Sequence, residues 1–173
     1  MSSRRKFLRY HVLPLAAYGA LALLVLYPAI LHPTTLIPGG GDAPRHVWGL
    51  WWFKHALIDL GRSPLITDLI YFPLTDVEVV WETPYNEVLM LPGLFVLPPV
   101  LHYGLLVLVT YILSGYLTYL LLTVLTHKRA LAFAGGLLFA FSSYRAVRAL
   151  GHLSLLTTQW IPFLFLAGLL LWR

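Results

Sequence analysis

Cysteine is absent from the sequence, and charged residues make up only 11% of it. The lack of cysteine excludes disulfide bonds, thiolate metal sites and cysteine nucleophiles, and it leaves the redox compartment undecided. Soluble globular domains are roughly a quarter charged and about half apolar, whereas 59% of this chain is hydrophobic. The composition therefore indicates a membrane protein.

Carboxylates are scarce and confined to one part of the chain. A carboxylate is costly in hydrocarbon and in a packed apolar core, so the segment that contains them is expected to meet water. Any chemistry should be found in that segment or beside it. The seven acidic residues are Asp42, Asp59, Asp68, Asp76, Glu78, Glu82 and Glu87.

The motifs of several enzyme classes are also missing. The absence of a Walker loop, a dinucleotide glycine fingerprint and Gly-x-Ser-x-Gly argues against soluble nucleotide chemistry and a serine hydrolase. The seven histidines form no recognisable metal set, so no metal ligands are predicted. No ladder of basic and aromatic residues indicates nucleic acid. The basic residues instead flank apolar segments, where such residues set topology or contact membrane lipids.

Long apolar runs predict an all-α polytopic membrane protein. About 20 apolar residues suffice to cross a bilayer as a helix. Basic residues before the first run favour an uncleaved anchor with a cytoplasmic N-terminus in the plasma (inner) membrane. These residues are Arg4, Arg5, Lys6 and Arg9. The four predicted spans, of which the third is short, are 12–31, 103–126, 130–143 and 153–172.

A long polar loop, residues 32–86, follows the first span and is expected outside the cytoplasm. Within it, residues 44–60 predict a helix, because apolar side chains recur at helical spacing. Trp48, Trp51 and Trp52 favour a position for this helix in the headgroup plane, where an indole keeps its ring apolar and its N–H wet.

The apolar segment 88–101 is short and contains three prolines, so it fits a re-entrant or interfacial segment better than a full crossing. If it did cross, there would be five spans and the later ones would invert. Four spans put seven Lys and Arg inside and five outside, whereas five spans give six and six. Four are therefore weakly favoured. In the third span, the small residues 134–136 predict close packing against a neighbouring helix.

Asp42 is the first candidate for a catalytic residue. It follows three glycines beyond the first span and precedes Pro44 and the predicted helix. A carboxylate there can accept a proton or help to hold a divalent cation, and flanking glycines let a substrate approach. Spacing alone favours a structural role, since Asp is a preferred helix N-cap and Pro marks a first turn. One residue can serve both roles.

A second outer loop, residues 144–152, carries Arg145 and Arg148 three positions apart, so that on a helix they share a face with His152 one turn further on. Both arginines oppose the positive-inside tendency, which favours an anionic partner such as phosphate or pyrophosphate. The alternative is contact with lipid headgroups or with the acidic loop. We expect Asp42 and Arg148 to emerge on the same side of the membrane around one anionic ligand.

Two further residues are candidates for substrate binding. His46 lies one helical turn after Asp42. Gln159 belongs to a polar edge at the start of the fourth span, which also includes Ser154, Thr157 and Thr158. Such residues are more often hydrogen bonded between helices than to a ligand.

Three blocks of sequence, spread over nearly the whole chain, carry a family resemblance. They are Gly41-Asp42 with the segments 46–52 and 63–73, then the segment 113–121, and finally the segment 134–142 with His152-Leu153 and 159–162. In this order they resemble the N-terminal module of the GT-C integral membrane glycosyltransferases, particularly the bacterial and archaeal proteins similar to the YfhO group.

The resemblance implies transfer of a sugar from a polyprenyl-phosphate donor on the extracytoplasmic face, with Asp42 as the principal catalytic group. It also implies that Arg145, Arg148 and His152 contact the donor phosphate. Members of this group generally carry many more spans and often a soluble C-terminal domain. The chain would therefore correspond to the N-terminal module only, or to a reduced relative.

Two other functions stay open. A non-catalytic accessory subunit of a larger integral membrane complex fits the small-residue patches and the short third span, which protein would cover better than lipid. A transporter fragment is less favoured, because the sequence shows no internal repeat.

Overall fold

The computed structural model describes residues 3–79 and 92–172, and this part of the chain is mostly helical. Two short strands, β1 (Ile66–Thr67) and β2 (Val77–Glu78), pair antiparallel in the polar loop. The predicted all-α class did not include them. The helices are α1 (Ser3–Val25), α2 (Ala43–Lys54), α3 (Pro99–Thr126), α4 (Arg129–Ala140), α5 (Ser143–Arg148), α6 (Leu153–Leu156) and α7 (Trp160–Trp172).

Four helical stretches in the described residues are long and apolar enough to cross a membrane, so the chain is a multi-pass membrane protein. They are α1, α3, the α4–α5 stretch Arg129–Arg148 and the α6–α7 stretch Leu153–Trp172.

The observed helix bounds differ in detail from the predicted spans. α1 corresponds to the span 12–31, but it begins at Ser3 and ends at Val25, three residues before a proline that has no N–H to donate. A short 3-10 turn, Ala29–Leu31, follows it. The predicted outer loop 144–152 is partly helical, because α5 occupies its first half.

The predicted re-entrant segment 88–101 is described only from residue 92, and residues 88–91 lie outside the described part. Residues 92–94 form a helical turn, and Pro98 is extended, with φ −59° and ψ 143°. α3 then begins at Pro99. A proline in the first turn of a helix costs no helical hydrogen bond, because the N–H groups there have no intrahelical acceptor.

α3 is the central helix and contacts α1, α2, α4, α6 and α7. Close approach of α1, α3 and α4 depends on glycine. The ring of Tyr18, which is fully buried, lies against Gly115, where an added Cβ would be 2.7 Å from it. A Cβ at Gly136 would lie 2.5 Å from the Gly115 carbonyl oxygen. The predicted close packing of the third span is therefore confirmed.

Contacts between segments far apart in the chain show which segments share each end of the bundle. At one end, Tyr119 donates a 2.9 Å hydrogen bond to the Tyr10 carbonyl, and the Arg129 guanidinium lies 3.5 Å from the Tyr10 ring centroid. At the opposite end, the Gly40 N–H donates a 2.8 Å hydrogen bond to the Leu150 carbonyl. The first loop and the α5–α6 turn therefore emerge at the same end, as the sequence predicted.

The helix predicted at residues 44–60 is present as α2 and continues as a π-helix, His55–Asp59. The predicted position of Trp52 in the headgroup plane is wrong. Its side chain is fully buried, and its indole N–H donates a 3.0 Å hydrogen bond to the Pro64 carbonyl. Trp51 is 41% exposed and keeps the character expected of an interfacial residue.

An aspartate organises the strand-bearing part of the loop. Asp68 accepts a 2.8 Å hydrogen bond from the Asp76 N–H and a 3.0 Å hydrogen bond from Arg62. The Asp76 N–H, followed by Arg62, lowers the pKa of the Asp68 carboxyl. The Arg62 guanidinium also lies 5.0 Å from the Trp52 ring centroid, so this ion pair connects the loop to α2.

Candidate functional site

Two glycine-containing loops dock against each other and build the candidate site. Gly39 has φ +96°, and a Cβ there would lie 2.5 Å from the Ala149 carbonyl oxygen. Gly151 has φ +153°, and a Cβ there would lie 2.5 Å from the Gly40 oxygen and 2.7 Å from the Asp42 nitrogen. Only glycine fits backbones that approach this closely in this conformation. The contact brings residues 39–42 beside 149–152.

This docking places a carboxylate beside an imidazole. An Asp42 carboxylate oxygen, Oδ2, lies 3.7 Å from Nδ1 of His152, and the two side chains are 56% and 50% exposed. The distance is longer than a hydrogen bond but within the range of an ion pair when the imidazole is protonated. Two groups that can exchange protons therefore share one accessible edge outside the membrane-spanning helices.

The sequence also favoured Asp42 as a helix N-cap, and the structure confirms the position, at the start of α2, but not a capping hydrogen bond. The backbone turn itself joins the helix to the loop, because the Ala43 N–H donates to the Gly40 carbonyl at 2.9 Å. Capping therefore does not account for the carboxylate, which points to the edge where His152 lies.

The two arginines of α5 lie in different surroundings, although their spacing predicts a shared face. Arg148 is half-buried, its guanidinium lies 5.3 Å from the Tyr144 ring centroid, and its Nε has no hydrogen-bond acceptor among the described residues. Arg145 is only 1% exposed. The predicted contact of both residues with a phosphate stays a prediction, and the geometry favours Arg148 for it.

Arg145 instead joins the ends of α4 and α6 to the middle of α3. Its Nε donates a 2.8 Å hydrogen bond to the carbonyl of Ala140, the last residue of α4. Its Nη1 donates to the carbonyl of Leu156, the last residue of α6, and to the Thr158 hydroxyl. The guanidinium also lies 4.7 Å from the Tyr111 ring centroid on α3. Carbonyls at helix C-termini lack intrahelical donors, and a cation there also complements the helix dipole.

Gln159 is part of a polar contact between helices. It is 4% exposed, and its side-chain oxygen accepts a hydrogen bond from Thr110 on α3. Ser114, one turn further along α3, lies 3.4 Å from the Thr158 hydroxyl. These residues have the interhelical role that the sequence already favoured over ligand contact.

His46 is half-buried, and its ring stacks on Tyr103 of α3, with centroids 6.1 Å apart and an interplanar angle of 15°. It thus lies where α2 meets α3, one turn after Asp42. Its contact with a substrate stays a prediction.

A cleft of about 580 Å³ opens beside α2. Its lining includes Arg45, Trp48, Tyr71 and Glu78 among the described residues. The cleft lies beside the first turn of α2, where the backbone N–H of Arg45 donates a 3.0 Å hydrogen bond to the Asp42 carbonyl. Aromatic faces together with charged groups can bind ligands that are partly apolar and partly polar.

Sequence reasoning missed several buried residues of α3. His102, Thr110 and Tyr111 are each no more than 1% exposed. Polar residues inside a predicted span are the signal that could have found them, because such residues normally face the bundle interior.

The residues that the structure describes contain no group of three or more His, Cys, Asp or Glu suited to a metal ion. Asp42 and His152 supply two such side chains. A divalent cation held there would need further ligands, such as phosphate oxygens of a substrate.

Residues 16–173 match a family that is described as Domain of unknown function (DUF6311). No curated protein and no solved structure matches the chain. The family match spans both docking loops and all the candidate site residues. The chain therefore belongs to the DUF6311 family.

Proposed function

We propose that the protein is a GT-C-like membrane glycosyltransferase, or its N-terminal module, which transfers a sugar from a polyprenyl-phosphate donor. The observation that carries the proposal is the exposed Asp42 carboxylate 3.7 Å from the His152 imidazole, held by the docked glycine loops and not used for helix capping. The resemblance of the sequence to that enzyme group supplies the class of substrate.

In this reaction, the Asp42 carboxylate accepts the proton of an acceptor hydroxyl. The hydroxyl oxygen forms a bond to the anomeric carbon of the donor sugar, and the bond between that carbon and the phosphate oxygen breaks. The polyprenyl phosphate leaves with the electron pair. His152 orients the carboxylate, and Arg148 neutralises charge on the departing phosphate.

The cleft beside α2 is suited to the sugar or the acceptor. The indole of Trp48 and the phenol ring of Tyr71 offer faces to the C–H surface of a pyranose, while Arg45 and Glu78 can hydrogen bond its hydroxyls. Arg145 and Gln159 are not assigned to substrate, because their side chains are buried and bound to neighbouring helices.

We further propose that this end of the bundle faces the extracytoplasmic side of the plasma membrane, with the N-terminus in the cytoplasm. The support is the charge distribution. The basic residues of the α1 and α4 starts lie together at the opposite end, and no acidic residue precedes Asp42 or follows Glu87 in the sequence.

The test is an assay of the full chain in proteoliposomes with a polyprenyl phosphate that carries a radiolabelled hexose. Asp42→Asn should lower transfer about 100-fold to 10,000-fold, the usual contribution of a general base. The matched control is Asp59→Asn. Asp59 lies next to the same helix and also pairs with a histidine, at 2.6 Å from His55, but outside the candidate site.

Activity of Asp42→Asn equal to that of the wild type would remove Asp42 from the reaction. An equal loss in the Asp59→Asn control would show that the assay reports folding. Absence of transfer by the wild type from a panel of hexose donors would contradict the enzyme reading and favour the accessory subunit.

A further inference from the structure

A second cleft lies at the end of the bundle opposite Asp42, between the starts of α1 and α4. Its volume is about 430 Å³. Arg9, Tyr10 and Arg129 line one part of the cleft. Leu13 on α1 and Phe133 on α4 line the other part. The cleft therefore combines a cationic part with an apolar part.

Among the residues that the structure describes, none supplies a counter-ion to the cationic part. Neither Arg9 nor Arg129 forms a salt bridge within residues 3–79 and 92–172, and no residue that lines the cleft is acidic. The Arg129 guanidinium lies 3.5 Å from the Tyr10 ring centroid and that of Arg9 lies 5.9 Å from it. Both guanidinium groups therefore lie within 6 Å of one tyrosine ring, and an anion that contacts both would balance their charge.

The apolar part indicates which anion. A small soluble anion would contact only the arginines and leave the wall along α1 and α4 unused. Leu13 is 63% exposed, and this wall belongs to two membrane-spanning stretches. An amphiphile matches both parts, because its headgroup meets the guanidinium groups at the membrane surface while its chain lies along the helices.

We propose that this cleft binds one anionic phospholipid, with the phosphate between Arg9 and Arg129 and an acyl chain along Leu13 and Phe133. The site is independent of the proposed sugar transfer, since it lies at the other end of the bundle. It would fix the spacing of α1 and α4, because a single headgroup bridges the second turn of α1 and the first turn of α4.

Native mass spectrometry of the full chain in detergent tests the headgroup contact, with phosphatidylglycerol and phosphatidylcholine as probes. The wild type should retain phosphatidylglycerol in preference to phosphatidylcholine. Arg9→Gln and Arg129→Gln should each weaken retention of phosphatidylglycerol about tenfold, the value of one charged hydrogen bond. Arg4→Gln is the matched control, since it removes the same charge from the same end but not from the cleft.

A pair of variants tests the chain contact. Ala17 lines the cleft, whereas its neighbour Ala16 is exposed and does not. Ala17→Phe should fill the apolar part and lower retention of phosphatidylglycerol at least tenfold, and Ala16→Phe should leave it within twofold. Circular dichroism and gel filtration would verify that each variant is folded.

The proposal is overturned by any of three results. One is equal retention of the two lipids by the wild type, and another is retention by a folded Arg9→Gln/Arg129→Gln double variant at the wild-type level. The third is a loss in Arg4→Gln or Ala16→Phe as large as in the cleft variants, which would indicate general attraction to a basic surface. If the lipid proposal is overturned in this way, the sugar-transfer proposal is unaffected, because none of these variants changes Asp42.

Discussion

Replacing Arg145 by methionine removes the guanidinium but keeps a long apolar side chain of similar reach. In the wild type, that group donates to the carbonyls of Ala140 and Leu156, which end α4 and α6. The substitution therefore leaves the end of α4 without this donor in a buried environment. We expect the Arg145→Met protein to be less stable and to lose contact between the short helices and α3.

The magnitude follows from the bonds that are lost. A hydrogen bond from a charged donor contributes about 1.5–3 kcal/mol, so two bonds to carbonyls give a gross loss of about 3–6 kcal/mol. Two effects reduce this value. The Thr158 N–H still donates to the Leu156 carbonyl at 2.8 Å, and the variant no longer carries the desolvation cost of a buried cation. We expect a net loss of about 2–3 kcal/mol in the free energy of unfolding.

The assay is reversible unfolding in mixed detergent micelles with SDS as denaturant, followed by circular dichroism. Arg148→Met is the matched control on the same helix, because Arg148 is half-buried, lies against the Tyr144 ring and its guanidinium donates to no backbone carbonyl in the described part of the chain. It should lose less than about 1 kcal/mol. An Arg145→Met protein as stable as the wild type, or an equal loss in both variants, would refute the bridging role of Arg145.

Two further predictions concern packing and pH. Gly136→Ala should lower the free energy of unfolding by about 1–3 kcal/mol, because the new Cβ would meet the Gly115 oxygen. Gly168→Ala is its control in the same denaturation assay and should not destabilise, since nothing lies within 4 Å of that site. For Asp68, whose pKa is lowered by its two donors, the stabilising contribution is present above the ordinary aspartate range and is lost as the pH falls through the lowered pKa. Acid titration of tryptophan fluorescence should show this transition in the wild type but not in Asp68→Asn, and a transition that persists in the variant would assign it to another group.

Much of the fold could be predicted because it depends on local properties of the sequence. Apolar runs of sufficient length gave the crossing helices, and the Trp-rich segment gave α2. Small residues at 134–136 predicted the close approach of α4 and α3, since side-chain size limits how near two helices can come and glycine has no side chain. The sequence also predicted that the two docking loops lie at the same end of the bundle, because two spans separate them and an even number of crossings returns the chain to the same side.

The surroundings of the site residues could not be predicted in the same way. Spacing shows that Arg145 and Arg148 lie on one side of α5, but it does not show which of them meets α3. That depends on the ends of α4 and α6, which supply the carbonyl acceptors of Arg145. The absence of a capping bond at Asp42 similarly depends on the tight Gly40 turn, which local sequence preference does not encode.

The contact between the loops 39–42 and 149–152 has a consequence for biosynthesis. The two loops are separated by more than a hundred residues of chain, including two helical stretches that must enter the bilayer between them. While the ribosome is still translating the segment before residue 149, His152 has not yet been synthesised, and Asp42 has no histidine neighbour. The carboxylate and the imidazole therefore meet only after the third crossing stretch has been inserted.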